Sequence, residues 1–98
     1  MNNVDFGMAT IYIKINDNNV ITRSGWNGKG MYVKLCRNTK IEIDGEMKDL
    51  NEHFVIKNVN GSFSTWVPSV NDALATDWEI KTLADFKGVT LSREVSRC

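Results

Sequence analysis

The sequence predicts an α+β domain, a small twisted antiparallel β-sheet with one or two short helices, on three observations. Short runs rich in branched and aromatic residues alternate in polarity, as half-buried strands do. Asn60-Gly61 separates two such runs and favours a hairpin closed by a type I′ turn, which needs positive φ at both central positions. Ser69-x-x-Asp72, directly after Pro68, offers an N-cap hydroxyl and an acidic third position, the local signature of a helix start. With 98 residues the chain is expected to be one domain over 1–98, because a chain of this size cannot divide into two cores. A sizeable ligand pocket would hollow out so thin a core, so it is easier to build between subunits, and a homo-oligomer is expected.

The elements follow in order. Phe6 to Ile15 carries two signals: Ile11, Ile13 and Ile15 alternate with Tyr12 and Lys14 as in a strand, whereas Asp5 can cap a helix on which Phe6, Ala9 and Ile13 share a face. Read locally, the strand pattern is the stronger. Asn16-Asp17-Asn18-Asn19 is a turn cluster before a strand at Val20-Ile21-Thr22-Arg23. Met31 to Cys36 alternates with Met31, Val33 and Leu35 on one face, and Ile41-Glu42-Ile43 continues after Arg37-Asn38-Thr39-Lys40. Asp44 to Glu52 is polar and is expected to be an exposed connection with the most mobility in the chain. Phe54 to Asn58 and Ser62 to Val67 form the hairpin, with Phe63 and Thr65 on one face and Trp66 on the other. Pro68 has no N–H and ends the strand. The helix from Ser69 runs to about Ala75, and Asp77 to Ile80 returns to strand. After Lys81, the residues Leu83, Phe86, Val89 and Leu91 are expected to dock loosely, with Ser92 to Cys98 frayed.

Composition excludes several classes. Twelve Lys and Arg balance twelve Asp and Glu, so no basic field draws a nucleic-acid backbone and polymeric nucleic acid is not an expected partner. No apolar run approaches the roughly 20 residues of a membrane span, and Met1-Asn2-Asn3-Val4-Asp5 lacks the cationic and apolar regions of a signal peptide. The expected location is the cytoplasm, with no membrane partner. Cys36 and Cys98 are the only thiols; their spacing suits neither a metal site nor a disulfide framework, and both are expected to be reduced. The single His53 precedes Phe54 at a strand start and is read as a surface residue.

Two segments carry the chemistry. Arg23-Ser24-Gly25-Trp26-Asn27-Gly28-Lys29-Gly30-Met31 sets a tryptophan among three glycines, an asparagine and two cations. A flat ring beside bare amide N–H groups and positive charge suits a ligand that has an aromatic base and a phosphate. Trp66 to Trp78 supplies two more tryptophans around Ser69, Asp72 and Asp77. The plainer reading of either segment is a turn with core tryptophans. For Ser69 and Asp72 taken alone, the helix cap is the stronger reading; Trp78 reads as core, and Trp66 stands between core and site.

With Arg23-x-Gly25-Trp26-Asn27-Gly28-Lys29-Gly30-Met31, and with Trp66-x-Pro68-Ser69-x-x-Asp72 followed by Leu74-Ala75-x-Asp77-Trp78, the chain resembles the second type of Thoeris anti-defense protein, a family of small phage proteins. The likeness covers roughly Phe6 to Glu79. It implies a helix at Phe6 to Lys14, which tertiary context can impose over propensity. It also implies a cytoplasmic homotetramer, a dimer of dimers, in the infected bacterial host. Such proteins sequester cyclic nucleotide immune signals without cleaving them, typically glycocyclic ADP-ribose, and some also bind cyclic dinucleotides. For a ligand of that kind Trp26 would stack on adenine. Arg23, Lys29 and the amides of Gly28 and Gly30 would meet the pyrophosphate. Asn27 and Asp72 would bond ribose hydroxyls or a base edge, Ser69 would donate to phosphate, and Trp66 would line the site.

Enzyme readings are weaker. A hydrolase needs a nucleophile with a base in reach, paired carboxylates or a metal set, and neither Asp72 nor Asp77 has a histidine or thiol beside it in sequence. Gly25-x-x-Gly28-x-Gly30 lies between short strands rather than at a strand-to-helix turn, so it is no dinucleotide fingerprint. No enzyme activity, cofactor or metal is expected. The rivals to a nucleotide sponge are a protein–protein adaptor or phage accessory structural protein, and a small hydrolase of nucleotide signals.

Overall fold

A computed structural model of the protein describes residues 1–26 and 30–87. Asp5 decides the N-terminal segment: its carboxylate accepts from the Met8 N–H at 2.7 Å, and Phe6–Ile15 forms α1. Ala9 and Ile13 are buried and Phe6 packs against the same cluster, while Ile11 and Ile15 are exposed. The helical face therefore prevails over the alternating isoleucines, because it is the face that a sheet can cover.

Strands β1 (Asn19–Arg23), β2 (Tyr32–Cys36), β5 (His53–Lys57), β6 (Phe63–Trp66) and β7 (Trp78–Thr82) form a five-stranded sheet in the order β6-β5-β2-β1-β7, with every pairing antiparallel. Ile21 lies opposite Val33 and Ile80, Val33 opposite Ile56, and Leu35 opposite Phe54, which in turn faces Trp66. Ile21, Val33, Leu35, Ile56 and Trp78 thus share one face and close with Ala9 and Ile13 into the core, against which Met31 also packs. Val20, Tyr32 and Cys36 alternate with these and are buried as well. Phe63 and Trp66 fall on opposite faces as the alternation requires, and Phe63 meets Tyr32 edge-on at 6.3 Å between centroids.

The two hairpins differ from the sequence expectation in opposite ways. Between β5 and β6 only Gly61 has positive φ, at 92°. The connection is a turn closed by Gly61 N–H to Asn58 O at 3.0 Å, with Asn58 N–H to Ser62 O at 2.8 Å, a three-residue loop instead of the expected type I′ turn. Asn60 keeps its backbone on the negative side and uses its Oδ1 to accept from Ser62 N–H at 3.0 Å. The two-residue turn with both φ positive occurs at Asp44 (53°) and Gly45 (81°). It joins β3 (Thr39–Ile43) to β4 (Glu46–Leu50) in a separate two-stranded sheet. The expected loose connection over Asp44 to Glu52 is corrected accordingly: it is exposed along β4, but it is paired strand.

Helix α2 spans Val70–Leu74, and α3 spans Leu83–Lys87, a third helix beyond the one or two expected. Thr82 and Asp85 cap α3 reciprocally, Thr82 N–H to Asp85 Oδ2 at 2.8 Å and Asp85 N–H to Thr82 Oγ1 at 3.4 Å. The segment ahead of α1 lies along β7. Val4 and Trp78 exchange N–H to O bonds of 3.1 Å, and Ile80 N–H reaches Met1 O at 2.8 Å. Cys36 is disulfide-bonded, which corrects the expected reduced thiol; spacing along a chain does not limit which residues meet in space. Val89, Leu91, the Ser92–Cys98 end and the Phe86 side chain lie outside the described residues. No helix among the described residues is long and apolar enough to cross a membrane.

Candidate functional site

The two motif segments meet through one arginine. Arg23 ends β1 opposite Trp78, so its side chain reaches the residues that flank β7. Nε donates to Asp77 Oδ1 at 2.7 Å and Nη1 to Asp72 Oδ1 at 2.8 Å. The pairs are shielded, with side-chain exposures of 19% for Arg23, 14% for Asp72 and 27% for Asp77. Burial pushes the Asp72 carboxyl up, but hydrogen bonds from Arg23, Trp26 and Ser69 outweigh it and hold the group below the usual carboxylate range. The Arg23 hydrogen bond holds Asp77 low in the same way, and Asp77, then Asp72, raise Arg23. All three groups are charged at neutral pH.

Asp72 joins more than an ion pair. Its Oδ1 also accepts from Trp26 Nε1 at 3.2 Å, and its Oδ2 accepts from Ser69 Oγ at 3.0 Å and Ser69 N–H at 3.4 Å. Ser69 Oγ accepts in turn from the Asp72 N–H at 3.1 Å, which completes a capping box at the start of α2. The main-chain oxygen of Asp72 accepts from Trp78 Nε1 at 3.0 Å. One aspartate therefore ties the helix start to the indole N–H groups of two tryptophans.

The three tryptophans form a single aromatic cluster. Trp26 stands edge-on to Trp78 at 5.4 Å and to Trp66 at 6.4 Å, and Trp66 meets Trp78 at 6.1 Å. Phe6 from α1 and Phe54 from β5 complete the group, each within about 6 Å of Trp66. Trp78 is fully buried, as expected, whereas Trp26 and Trp66 are half-buried. A ring fixed from behind by edge-on neighbours can stack a planar base on its face.

Of the residues singled out from sequence, Arg23, Trp26, Trp66, Ser69 and Asp72 thus come together. Gly30 has φ of 79°, and its main-chain oxygen accepts from Lys57 Nζ at 3.2 Å. Asn27, Gly28 and Lys29 lie outside the described residues. Asp77, which the sequence places in the second motif but gives no ligand role, accepts at Oδ2 from Gly25 N–H at 2.8 Å and Ser24 Oγ at 3.3 Å. The available signal was an aspartate just before a strand, next in sequence to the residue that pairs with Arg23. Lys57 gave no sequence signal. Elsewhere, the base of the β3–β4 hairpin borders a cleft of about 340 Å³. There Arg37 and Lys40 face Asp49 and Glu52, so it has no net charge to attract a phosphate. Among the described residues no group of three or more His, Cys, Asp or Glu side chains is placed to hold a metal ion.

The Thoeris anti-defense 2-like domain matches residues 4–81, a span that holds α1, α2, both hairpins and all of the Arg23–Asp72–Asp77 cluster. Thoeris anti-defense 2 of Bacillus phage SP01 is 37% identical in an alignment 68 residues long, and the match covers 61% of this chain and 76% of that protein. The chain belongs to the Thoeris anti-defense 2-like family.

Proposed function

We propose that the protein binds and sequesters, without cleaving, cyclic nucleotide immune signals such as glycocyclic ADP-ribose, and so keeps Thoeris-type effectors inactive. The observation that carries this reading is Trp26, a half-buried indole braced by Trp66, Trp78 and the Asp72 carboxylate. A ring held in this way offers a base a preformed stacking surface, worth about 1–3 kcal/mol. The neighbouring ion-pair cluster holds one cation and two anions, so a pyrophosphate fits better toward Gly30 and Lys57 than against Arg23. Both aspartates are engaged by Arg23 and held ionised, which suits a brace better than a proton donor.

The same reading makes the protein a dimer of dimers in the cytoplasm of the infected bacterium. The β3–β4 hairpin supports assembly: Ile41, Ile43 and Leu50 share one exposed face, and an isolated two-stranded hairpin is marginal in water. Purified protein incubated with glycocyclic ADP-ribose, then heated, should release the same molecule in a fixed ratio to protein. A hydrolysis product would revive the enzyme reading. Absence of any bound nucleotide, with a protein partner captured instead, would favour the adaptor.

A further inference from the structure

We propose that Asp77 is a positioning residue for ligand capture: its carboxylate latches the main chain at Ser24 and Gly25 and, through Arg23, fixes where the Trp26 ring stands. The inference rests on the sponge reading above. Asp77 divides its acceptors, with Oδ1 on Arg23 Nε at 2.7 Å and Oδ2 on Gly25 N–H at 2.8 Å and Ser24 Oγ at 3.3 Å. Its peptide oxygen takes the Ser24 N–H at 3.3 Å. These bonds hold the two residues that precede Trp26 and leave the ring itself untouched.

Gly25 carries an independent mark of the same contact. A Cβ there would lie 2.8 Å from Asp77 Oδ2 and 3.4 Å from Arg23 Nη2, so the approach of carboxylate to main chain requires glycine. Asp77 is in turn anchored by the next residue, Trp78, which is fully buried and paired with Arg23. The latch therefore connects a rigid strand end to the ring that receives the base, and capture gains because the ring is placed before ligand arrives. Arg23 belongs to this brace as well, since two carboxylates engage it.

The test uses Asp77→Asn and Gly25→Ala, with Ile80→Val on β7 as a control for plain destabilisation. In ligand-free protein, hydrogen exchange at the amide of position 25 and near-ultraviolet tryptophan circular dichroism read the latch directly. Calorimetry with glycocyclic ADP-ribose reads capture. Both latch variants should speed exchange at position 25 relative to the intrinsic rate of the residue there, alter the tryptophan signal and weaken binding about tenfold or more, while Ile80→Val leaves all three unchanged. Wild-type affinity in either latch variant whose amide at position 25 has become exposed overturns the latch alone. Wild-type protein that captures no glycocyclic ADP-ribose overturns the sponge reading, and the role of Asp77 in capture falls with it, whatever the exchange data show.

Discussion

Replacing Arg23 by methionine keeps an apolar stem of similar reach and removes the guanidinium that lies between Asp72 and Asp77. Two anions then face each other without their cation, at sites where water replaces the lost donors only in part, since the side chains are 14% and 27% exposed. A hydrogen bond to a charged group contributes about 1.5–3 kcal/mol. Taking the low end for each of the two bonds, because the site is not fully dry, gives a loss of about 3 kcal/mol. Against a total of about 5–15 kcal/mol for a domain of this size, that is a large fraction. The sign of the pH dependence follows from the lowered carboxyls. In the wild type their stabilisation is present above the unfolded value of about 4 and is lost as pH falls through their lowered folded values. In the variant both carboxyls lose the lowering that Arg23 supplies and rise toward the unfolded value, while the bonds from Trp26 and Ser69 to Asp72 and from Gly25 to Asp77 remain. The deficit is then greatest at neutral pH and shrinks as pH falls through about 4 toward about 3. Urea unfolding followed by tryptophan fluorescence at both ends of that range measures this. A deficit under about 0.5 kcal/mol at neutral pH, or one equal at the two values, would mean that water and not Arg23 holds the carboxylates.

Trp26→Ala removes an indole that rests on Trp78 and Trp66 and is bonded to Asp72, so it should cost about 3 kcal/mol of stability and abolish nucleotide binding. Trp26→Phe retains a ring and should keep most of the stability in a thermal melt with weakened binding in calorimetry; binding at wild-type strength in the alanine variant would remove Trp26 from the site. Ser69→Ala opens the capping box of α2 and should lower stability by about 1 kcal/mol in urea unfolding, and an unchanged midpoint would show that Asp72 is held without its serine. Ile41→Ser combined with Ile43→Ser should leave the circular dichroism of the protomer intact and reduce the mass found by light scattering, whereas an unchanged mass would exclude that hairpin face from assembly.

The strands of the main sheet were legible because their burial is written as alternation: Val33 and Leu35, or Phe63 against Trp66, fall where period-two reading puts them. Ile41 and Ile43 marked β3 in the same way, but β4 was not legible, because Glu46 to Leu50 is exposed throughout and no apolar alternation marks it. Its one local signal was Asp44-Gly45, a stronger hairpin turn than Asn60-Gly61 proved to be. At α1 the β-branched isoleucines argue for strand, and the Asp5 cap together with the partner face of the sheet decides for helix. The site was legible as composition: Trp26, Trp66, Ser69 and Asp72 were all named. Their connectivity was not, since Arg23 and Asp72 meet across 49 residues of chain and Arg23 and Asp77 across 54. That ion pairs would form a brace, with Asp77 as its second arm, required the register of β1 against β7.

Residues 1–4 complete the rim of β7 with bonds that join Met1 to Ile80, and β1, early in the chain, pairs along the whole of the same strand. The protein thus closes its sheet with contacts between residues more than 50 positions apart along the chain. Until β7 has emerged, α1 has neither Trp78 nor the β7 flank to pack against, and β1 has only one neighbour. Closure at such sequence separation is slow compared with helix formation, because the loop entropy must be overcome before the contacts return anything. A nascent chain stopped before Asp77 should remain open to proteases, and the ring-bracing network should arise in one step with the pairing of β7, not by gradual ordering along the chain.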